Sequence, residues 1–521
     1  MTQAIDKLWH HLRARPSALA FEEDQGQAWT FGQLHERARR YAASLVSLGV
    51  KRGDRVASVL ESSAALVAVM LGHYLLGVVH VPINTRYGAV EVEHILQDSG
   101  AVAVVVDESL GARELVSSMA LPPSLRFRVV RGQARTDEGE LALEALMEAA
   151  PFEGEPESGD EDPALFIYTS GTTGRSKGVV LPFRAVVANI DALTTLWQWT
   201  EQDRLVLALP LFHVHGLCIG VHGTLLKGCT TELHRRFEPK KVGEAVGRGG
   251  TIFMGVPTMY VRLTRALDET PSLGPVLAGA RLFTSGSAAL AADVFERFEA
   301  HTGHRILERY GMSETLLTLS NPYEPQKRKP GTIGFAVPSG QVQVVDENGE
   351  RCGPGQIGQI VVRGDSLMTG YWNAPQKTAQ SMREGWFLTG DVARYDDEGY
   401  VVHVGRSSVD IIKSGGYKIS AREIEECIAL HPEVDEVAVV GMPDAEWGER
   451  IVAAVVPCGE HRERAWWAAA LKDFLAQRLA DYKRPRAVFV LDGLPRNALE
   501  KLQKHRIKAL IDEAEATGEG A

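Results

Sequence analysis

The sequence predicts an α/β fold: a large N-terminal domain of α/β layers with a β-rich subdomain, followed by a small α+β C-terminal domain. Three observations carry that expectation. At 521 residues the chain exceeds what one hydrophobic core serves, so at least two domains are expected. Short β-branched runs alternate with helical patterns through its N-terminal part, and from about Pro338 the texture changes to strands and turns.

Taken in order, Arg55–Leu60, Val102–Val106 and Leu205–Leu209 each read as a strand followed within a few residues by an amphipathic or apolar helix, as parallel sheets require. The most apolar stretch, Ala64 to Pro82, is interrupted by His73, His80 and turn glycines, and reads as a buried helix and a strand rather than a membrane span. Ala164-Leu165-Phe166-Ile167 reads as another strand. Past Pro338, the pairs Asn348-Gly349 and Glu398-Gly399 mark hairpins. After Gly405, SAREIEECIALHP is a helix and VDEVAVVGMP a strand. The expected boundary falls near residues 403–410, giving domains 1–406 and 407–521.

With 45% hydrophobic and 24% charged residues the chain is neither disordered nor fibrous. Acidic residues outnumber basic ones 67 to 56, a net charge of −11, which argues against nucleic acid as the main partner and for an enzyme or binding protein. Cys218, Cys229, Cys352, Cys427 and Cys458 form no CxxC pair, so a disulfide framework or structural zinc is not expected and a cytoplasmic, reducing location is. The N-terminus lacks the apolar core of a secretory signal.

The strand at Ala164–Ile167 runs into YTSGTTGRSKGV, residues 168–179. Glycines let backbone N–H groups converge on one point, and hydroxyls and a lysine add donors, so the segment suits a polyanion such as a triphosphate. It is not a Walker A loop, because Gly174 stands three residues before Lys177. On composition alone it could equally be a linker.

Further motifs decide between these. In chain order they are Pro210–Gly216 (PLFHVHG), Thr284–Ala288 (TSGSA), Tyr310–Thr315 (YGMSET), Gly370–Asn373 (GYWN), Gly385–Asp391 (GWFLTGD), Gly405-Arg406, Lys413–Lys418 (KSGGYK) and Leu494–Asn497 (LPRN) with Lys501 beyond. Together they resemble the adenylate-forming superfamily of acyl-CoA synthetases, adenylation domains and luciferases over nearly the whole chain. The resemblance implies a reaction in which a small-molecule carboxylic acid attacks the α-phosphate of Mg-ATP, and the thiol of coenzyme A then displaces AMP. It also implies that the C-terminal domain is mobile.

By the same resemblance, Thr169, Ser170, Gly171, Thr172, Thr173, Gly174 and Lys177 cradle the β- and γ-phosphates, with Ser287 also at the nucleotide. Glu314 ligates Mg²⁺, Ser313 meets the α-phosphate, Tyr310 lies along the adenine, and Asp391 and Arg406 hold the ribose. Lys501 is the adenylation lysine, and Ser414, Gly415 and Gly416 fall to CoA. Taken singly, Asp391 reads as a turn cap, Arg406 as a solvated cation and Glu314 as a helix N-terminal acid. His213 and His215 line the acyl pocket or are satisfied core histidines; no third ligand at a recognisable spacing makes them a metal site.

Many fatty-acyl relatives carry a small residue before the YGMxE tyrosine, where this chain has Glu308-Arg309-Tyr310. An arginine ending a short pocket forms a bidentate pair with a second carboxylate, whereas a hydrocarbon tail leaves it buried and unpaired. The surrounding runs resemble the malonyl-CoA synthetase branch, implying malonate or a close dicarboxylate as the acid. The alternatives are that Arg309 pairs with Glu308 or another acid, and that the protein activates medium- or long-chain fatty acids or loads a carrier protein. Three positions depart from the family pattern: Ser408 where the hinge residue commonly is Asp or Lys, in a segment one residue longer than usual; Glu500 in place of the glycine before the lysine; and Gln359 for a common glutamate.

Overall fold

The computed structural model describes residues 4–516 except 25, 118, 120, 135–138, 170–175, 407–409, 415–416, 445–446, 460–461 and 497–501. The sequence expectations at Ser170, Gly171, Thr172, Thr173, Gly174, Ser408, Gly415, Gly416, Glu500 and Lys501 therefore lie outside the described residues. The chain divides into two compact units, Met1–Val342 with Val362–Phe387, and Gln343–Val361 with Leu388–Ala521.

Two large sheets build the first unit. Among the described residues, one has eight strands in the order Gly370–Tyr371, Lys177–Pro182, Pro163–Thr169, Val79–Pro82, Arg55–Val59, Ala103–Asp107, Phe127–Arg131 and Glu140–Ala142. Pairing is parallel from Pro163–Thr169 onward and antiparallel at the Lys177–Pro182 edge. The apolar segment after Arg55–Val59 is the helix Ala64–Leu75, which starts where the Ser63 side chain accepts from Leu66 N. It is buried over almost its whole length, which is why it lacks the one-sided pattern of a surface helix. No helix among the described residues is long and apolar enough to cross a membrane.

The second sheet has nine strands, ordered Phe335–Ala336, Leu316–Ser320, Leu307–Met312, Leu282–Ser285, Ile252–Gly255, Arg204–Leu207, Thr230–Leu233, Leu19–Glu23 and Ala28–Thr30. Its central strands, from Leu307–Met312 through Leu19–Glu23, run parallel, with antiparallel strands at both edges. Ligands of such sheets gather beyond the carboxyl ends of the strands, and the motifs at 210–216, 284–288 and 310–315 lie at or just past those ends.

The second unit contains two turns built alike. In each an aspartate accepts from two following backbone amides: Asp346 from Asn348 and Glu350, and Asp396 from Glu398 and Tyr400. A glycine then takes the left-handed conformation, φ +89° at Gly349 and +84° at Gly399. The second turn joins the antiparallel strands Trp386–Tyr395 and Val401–Arg406. A five-stranded sheet follows, ordered Tyr417–Ser420, Ile411–Ser414, Gly448–Pro457 and Val434–Asp444, with Ala487–Val490 parallel to Gly448–Pro457. Its central strands alternate between two cores, as a period of two demands. Val439, Ile451, Ala453 and Val455 pack with the helices Ala421–Ile428 and Arg464–Ala476, whereas Val440, Val452 and Ala454 pack with Lys504–Ala516.

Candidate functional site

The six residues 170–175 are bracketed by Thr169 and Lys177, which are direct cross-strand partners. Tyr168 and Ser176, on either side of these residues, are tied to the helix Ala89–Ser99. The Tyr168 hydroxyl donates to Asp98 Oδ2 at 2.7 Å, and His94 Nε2 donates to the Ser176 carbonyl at 2.8 Å. Asp98 also accepts, at its carbonyl, from Trp372 Nε1 (2.9 Å) and Asn373 Nδ2 (3.1 Å). The GYWN motif is thereby fixed to the same helix that holds Tyr168 and Ser176, and the ring of Trp372 packs on Phe166.

Glu314 follows the strand Leu307–Met312 and is 7% exposed. The Tyr371 hydroxyl donates to its Oε1 at 2.9 Å and so fixes the carboxylate's direction. No group of three or more His, Cys, Asp or Glu side chains that could hold a metal occurs among the described residues. A cation at Glu314 would draw its other ligands from phosphate and water, which is how Mg²⁺ is ordinarily bound, so the donor set fits that ion. Ser313 is buried beside Glu314, and Tyr310 is half-buried. Ser287 has φ +70°, a left-handed conformation that costs a non-glycine residue energy and that concentrates at functional sites.

Arg309 is 5% exposed, and its Nε and Nη2 find no hydrogen-bond partner among the described residues. Glu308 does not supply one: its Oε1 accepts from Gly331 N, and no carboxylate among the described residues forms an ion pair with Arg309. Burial pulls the Arg309 pKa down to about 9, slightly offset by Tyr260. The guanidinium lies flat against Gly286, where a Cβ would meet Arg309 Cζ at 2.4 Å. His215 is buried with both ring nitrogens unpartnered among the described residues. Its pKa is held well below the usual histidine value by burial first, then by Arg309 and His213. His215 also opens a wide π-type helix over His215–Val221, a geometry common at functional sites. The hydroxyls of Ser285 and Thr318, on the two strands that flank Leu307–Met312, are likewise buried and unpartnered among the described residues. Among the described residues these strand ends thus carry hydrogen-bond donors without partners and an unpaired positive charge at Arg309.

In the second unit, Asp391 and Arg406 are cross-strand partners, joined by an ion pair of 3.0 Å from Arg406 Nε to Asp391 Oδ1. Asp391 is therefore not merely a turn cap, nor Arg406 merely a solvated cation. Ser414 is buried and ends the strand Ile411–Ser414.

Sequence reasoning missed Asp98, His94, Tyr371 as the partner of Glu314, and the closeness of Gly286 to Arg309. The GYWN motif was a signal for Tyr371; the helix that carries His94 and Asp98 offers none, since its residues read as an ordinary amphipathic surface element.

An α/β unit with a buried acid and, among the described residues, an unpaired cation at its strand ends, followed by a second α+β unit, fits an AMP-forming acid–thiol ligase, a class that works with ATP, Mg²⁺ and CoA. The chain belongs to the AMP-binding enzyme family, which matches residues 8–372, with the AMP-binding enzyme C-terminal domain matching 423–501. It is 34% identical over 542 residues to the mitochondrial malonate–CoA ligase of Homo sapiens, covering 95% of this chain and 90% of that one. It is 35% identical over 511 residues to a feruloyl-CoA synthase of Amycolatopsis, covering 96% and 98%. The ATP-bound structure of MatB from Rhodopseudomonas palustris superposes with a TM-score of 0.87 at 34% identity, covering 98% of this chain and 99% of that one.

Proposed function

We propose that the protein is a malonate–CoA ligase, or a ligase of a closely similar small dicarboxylate. The observation that carries this reading is Arg309: a buried guanidinium with unpartnered donors and no carboxylate ion-paired to it among the described residues. An unpaired buried charge costs several kcal/mol (about 3–5 by removal of one partner of a buried pair), a cost that a substrate's second carboxylate would offset through charge-assisted hydrogen bonds. His215, neutral at pH 7 because it is buried, would donate or accept beside it as the acid requires, and His213 would line the same pocket. The malonate–CoA ligases among the relatives support the same assignment.

In the first half-reaction one carboxylate oxygen attacks the α-phosphorus, and the bond to pyrophosphate breaks. Thr169 and Lys177, with residues 170–174, would hold the β- and γ-phosphates, Ser313 would donate to the α-phosphate, and Ser287 and Tyr310 would contact the nucleotide. Bound Mg²⁺ neutralises phosphate charge; Glu314, oriented by Tyr371, would hold it. Asp391 would accept from the ribose hydroxyls and Arg406 donate there. Lys501 would lessen the repulsion between carboxylate and α-phosphate as they approach. In the second half-reaction the CoA thiolate attacks the acyl carbon and AMP leaves, with Ser414 and residues 415–416 at the CoA side. Residues 407–521 would form the mobile domain that passes between these tasks, and the free cysteines favour a reducing, cytoplasmic setting.

The test is an acid panel of malonate, succinate, butyrate, octanoate and ferulate with free CoA, measuring AMP and thioester together. Malonate or succinate should give the highest kcat/KM. Preference for octanoate or ferulate overturns the dicarboxylate reading, and AMP without thioester points to a carrier-bound acceptor.

A further inference from the structure

A lysine in the first turn of a helix stands against the helix dipole, yet Lys504 is the first residue of Lys504–Ala516 and is 6% exposed. Such a local conflict needs a compensating interaction. The Lys504 ammonium donates to Asp410 Oδ1 at 2.6 Å and lies 2.8 Å from Glu425 Oε1. Neither carboxylate is idle otherwise. Glu425 Oε1 accepts from Val439 N at 2.7 Å, which ties the helix Ala421–Ile428 to the strand Val434–Asp444. Asp410 is bonded to Arg406 in both directions: its Oδ2 accepts from Arg406 N at 3.0 Å, and its N–H donates to Arg406 O at 2.7 Å. Arg406 in turn pairs with Asp391.

The same lysine sits at the end of another constrained segment. Arg496 and Leu502 form an antiparallel bridge, Gln503 N donates to Pro495 O at 2.8 Å, and Arg496 Nη2 reaches Glu436 Oε2 at 2.8 Å. Residues 497–501 are therefore flanked by paired backbone on both sides. Lys501 is three residues from Lys504, so their Cα atoms are at most about 11 Å apart. Among the described residues, the Lys504 ammonium joins this flank to Asp410 and, through Asp410, to Arg406.

We propose that Lys504 is a positioning residue: pinned by Asp410 and Glu425, it anchors Leu502–Lys504, the chain that directly follows Lys501, to Asp410 and through Asp410 to Arg406. This rests on the reading that Lys501 serves adenylation. Loss of the pin should misplace Lys501 relative to its target, and misplacement by about 1 Å costs on the order of 10²-fold.

The experiment measures pyrophosphate release from ATP and malonate, and separately the conversion of supplied malonyl-adenylate to thioester, in the full chain. Lys501→Ala should lower the first by ~10²–10³-fold, the range for one transition-state donor. Lys504→Met should lower it by about 10–100-fold while leaving thioester formation within about threefold, and Lys504→Arg should restore much of the loss. Because Lys504→Met leaves two half-buried carboxylates facing each other and can unfold the unit, the variant combining Lys504→Met, Asp410→Asn and Glu425→Gln is made as well. It removes the charges together and should show the same selective defect. Placed on Lys501→Ala, Lys504→Met should add at most about a further twofold, since the two act through one group. Equal loss of both half-reactions, unimpaired adenylation in the neutral triple variant, or full additivity with Lys501→Ala overturns the inference while leaving the Lys501 reading in place. Intact pyrophosphate release in Lys501→Ala overturns the Lys501 reading, and this inference with it.

Discussion

Arg309 in the first unit and Lys504 in the second are both cations, 5% and 6% exposed, and burial works against the charge of each. At Lys504 two carboxylates at 2.6 and 2.8 Å outweigh burial, and the pKa is raised. At Arg309 no carboxylate is paired among the described residues, and the pKa falls. In the sequence it is Arg309 that has a carboxylate beside it, at Glu308, whereas Lys504 is flanked by Gln503 and His505. What differs is direction: Glu308 accepts from Gly331 N, whereas Asp410 and Glu425 converge on the ammonium. A satisfied buried charge holds a scaffold together, and an unsatisfied one marks where a ligand's charge belongs.

The largest effect expected from breaking this contrast is at Arg309. Arg309→Gly should lower kcat/KM for malonate by about 10²–10³-fold, as expected when one member of a buried charge pair is truncated. The ratio of butyrate to malonate turnover should rise with it, because the pocket is then uncharged and longer. A loss of the same size on both acids would show that Arg309 serves the fold as Lys504 does.

A smaller change sharpens the comparison without removing the charge. Gly286→Ala places a Cβ 2.4 Å from Arg309 Cζ, so the guanidinium must move while it remains cationic. The expected result is a loss of about 10–100-fold on malonate, mostly in KM, with ATP binding by calorimetry little changed. Unchanged malonate KM would mean that the guanidinium's position against Gly286 is immaterial.

Much of the fold was legible in the sequence because it is local. The strand, helix and strand across Arg55–Pro82, the hairpin at Glu398-Gly399 and the helix after Ser420 all follow from runs, turn pairs and caps within a few residues. The candidate site was legible where a motif carries its own chemistry, as at Glu314, Asp391 and Arg406. Partnerships between distant segments were not. Tyr371 meets Glu314 across 57 residues, Lys504 meets Asp410 across 94, and Trp372 meets Asp98 across 274. No periodicity links such positions, and each residue alone reads as an ordinary surface or motif side chain. Gly286 was hidden differently: its place in TSGSA reads as a turn, whereas its backbone is not left-handed and the glycine is required by the approach of Arg309.

The finest test of the contrast lies in protons rather than rates. His215 is neutral in the folded chain because burial, then Arg309, then His213 depress its pKa below 6.5. An unfolded chain binds that proton more readily, so the stability contributed by His215 is fully present above about pH 6.5 and is lost as pH falls below it. A carboxylate bound to Arg309 counters the second of the three causes, moves the His215 pKa back up and draws in a proton. Calorimetric titration with malonate at several pH values between about 4.5 and 6.5, in two buffers of different ionisation enthalpy, should show more proton uptake for the wild type than for His215→Gln at the acid end of that range. The difference between the two proteins separates the imidazole from the titration of the ligand's own carboxyls. With butyrate, which brings no second carboxylate, the difference should vanish. Equal proton uptake by wild type and His215→Gln with malonate would mean that the acid's second charge does not settle beside Arg309, and that the unpaired cation serves some other group.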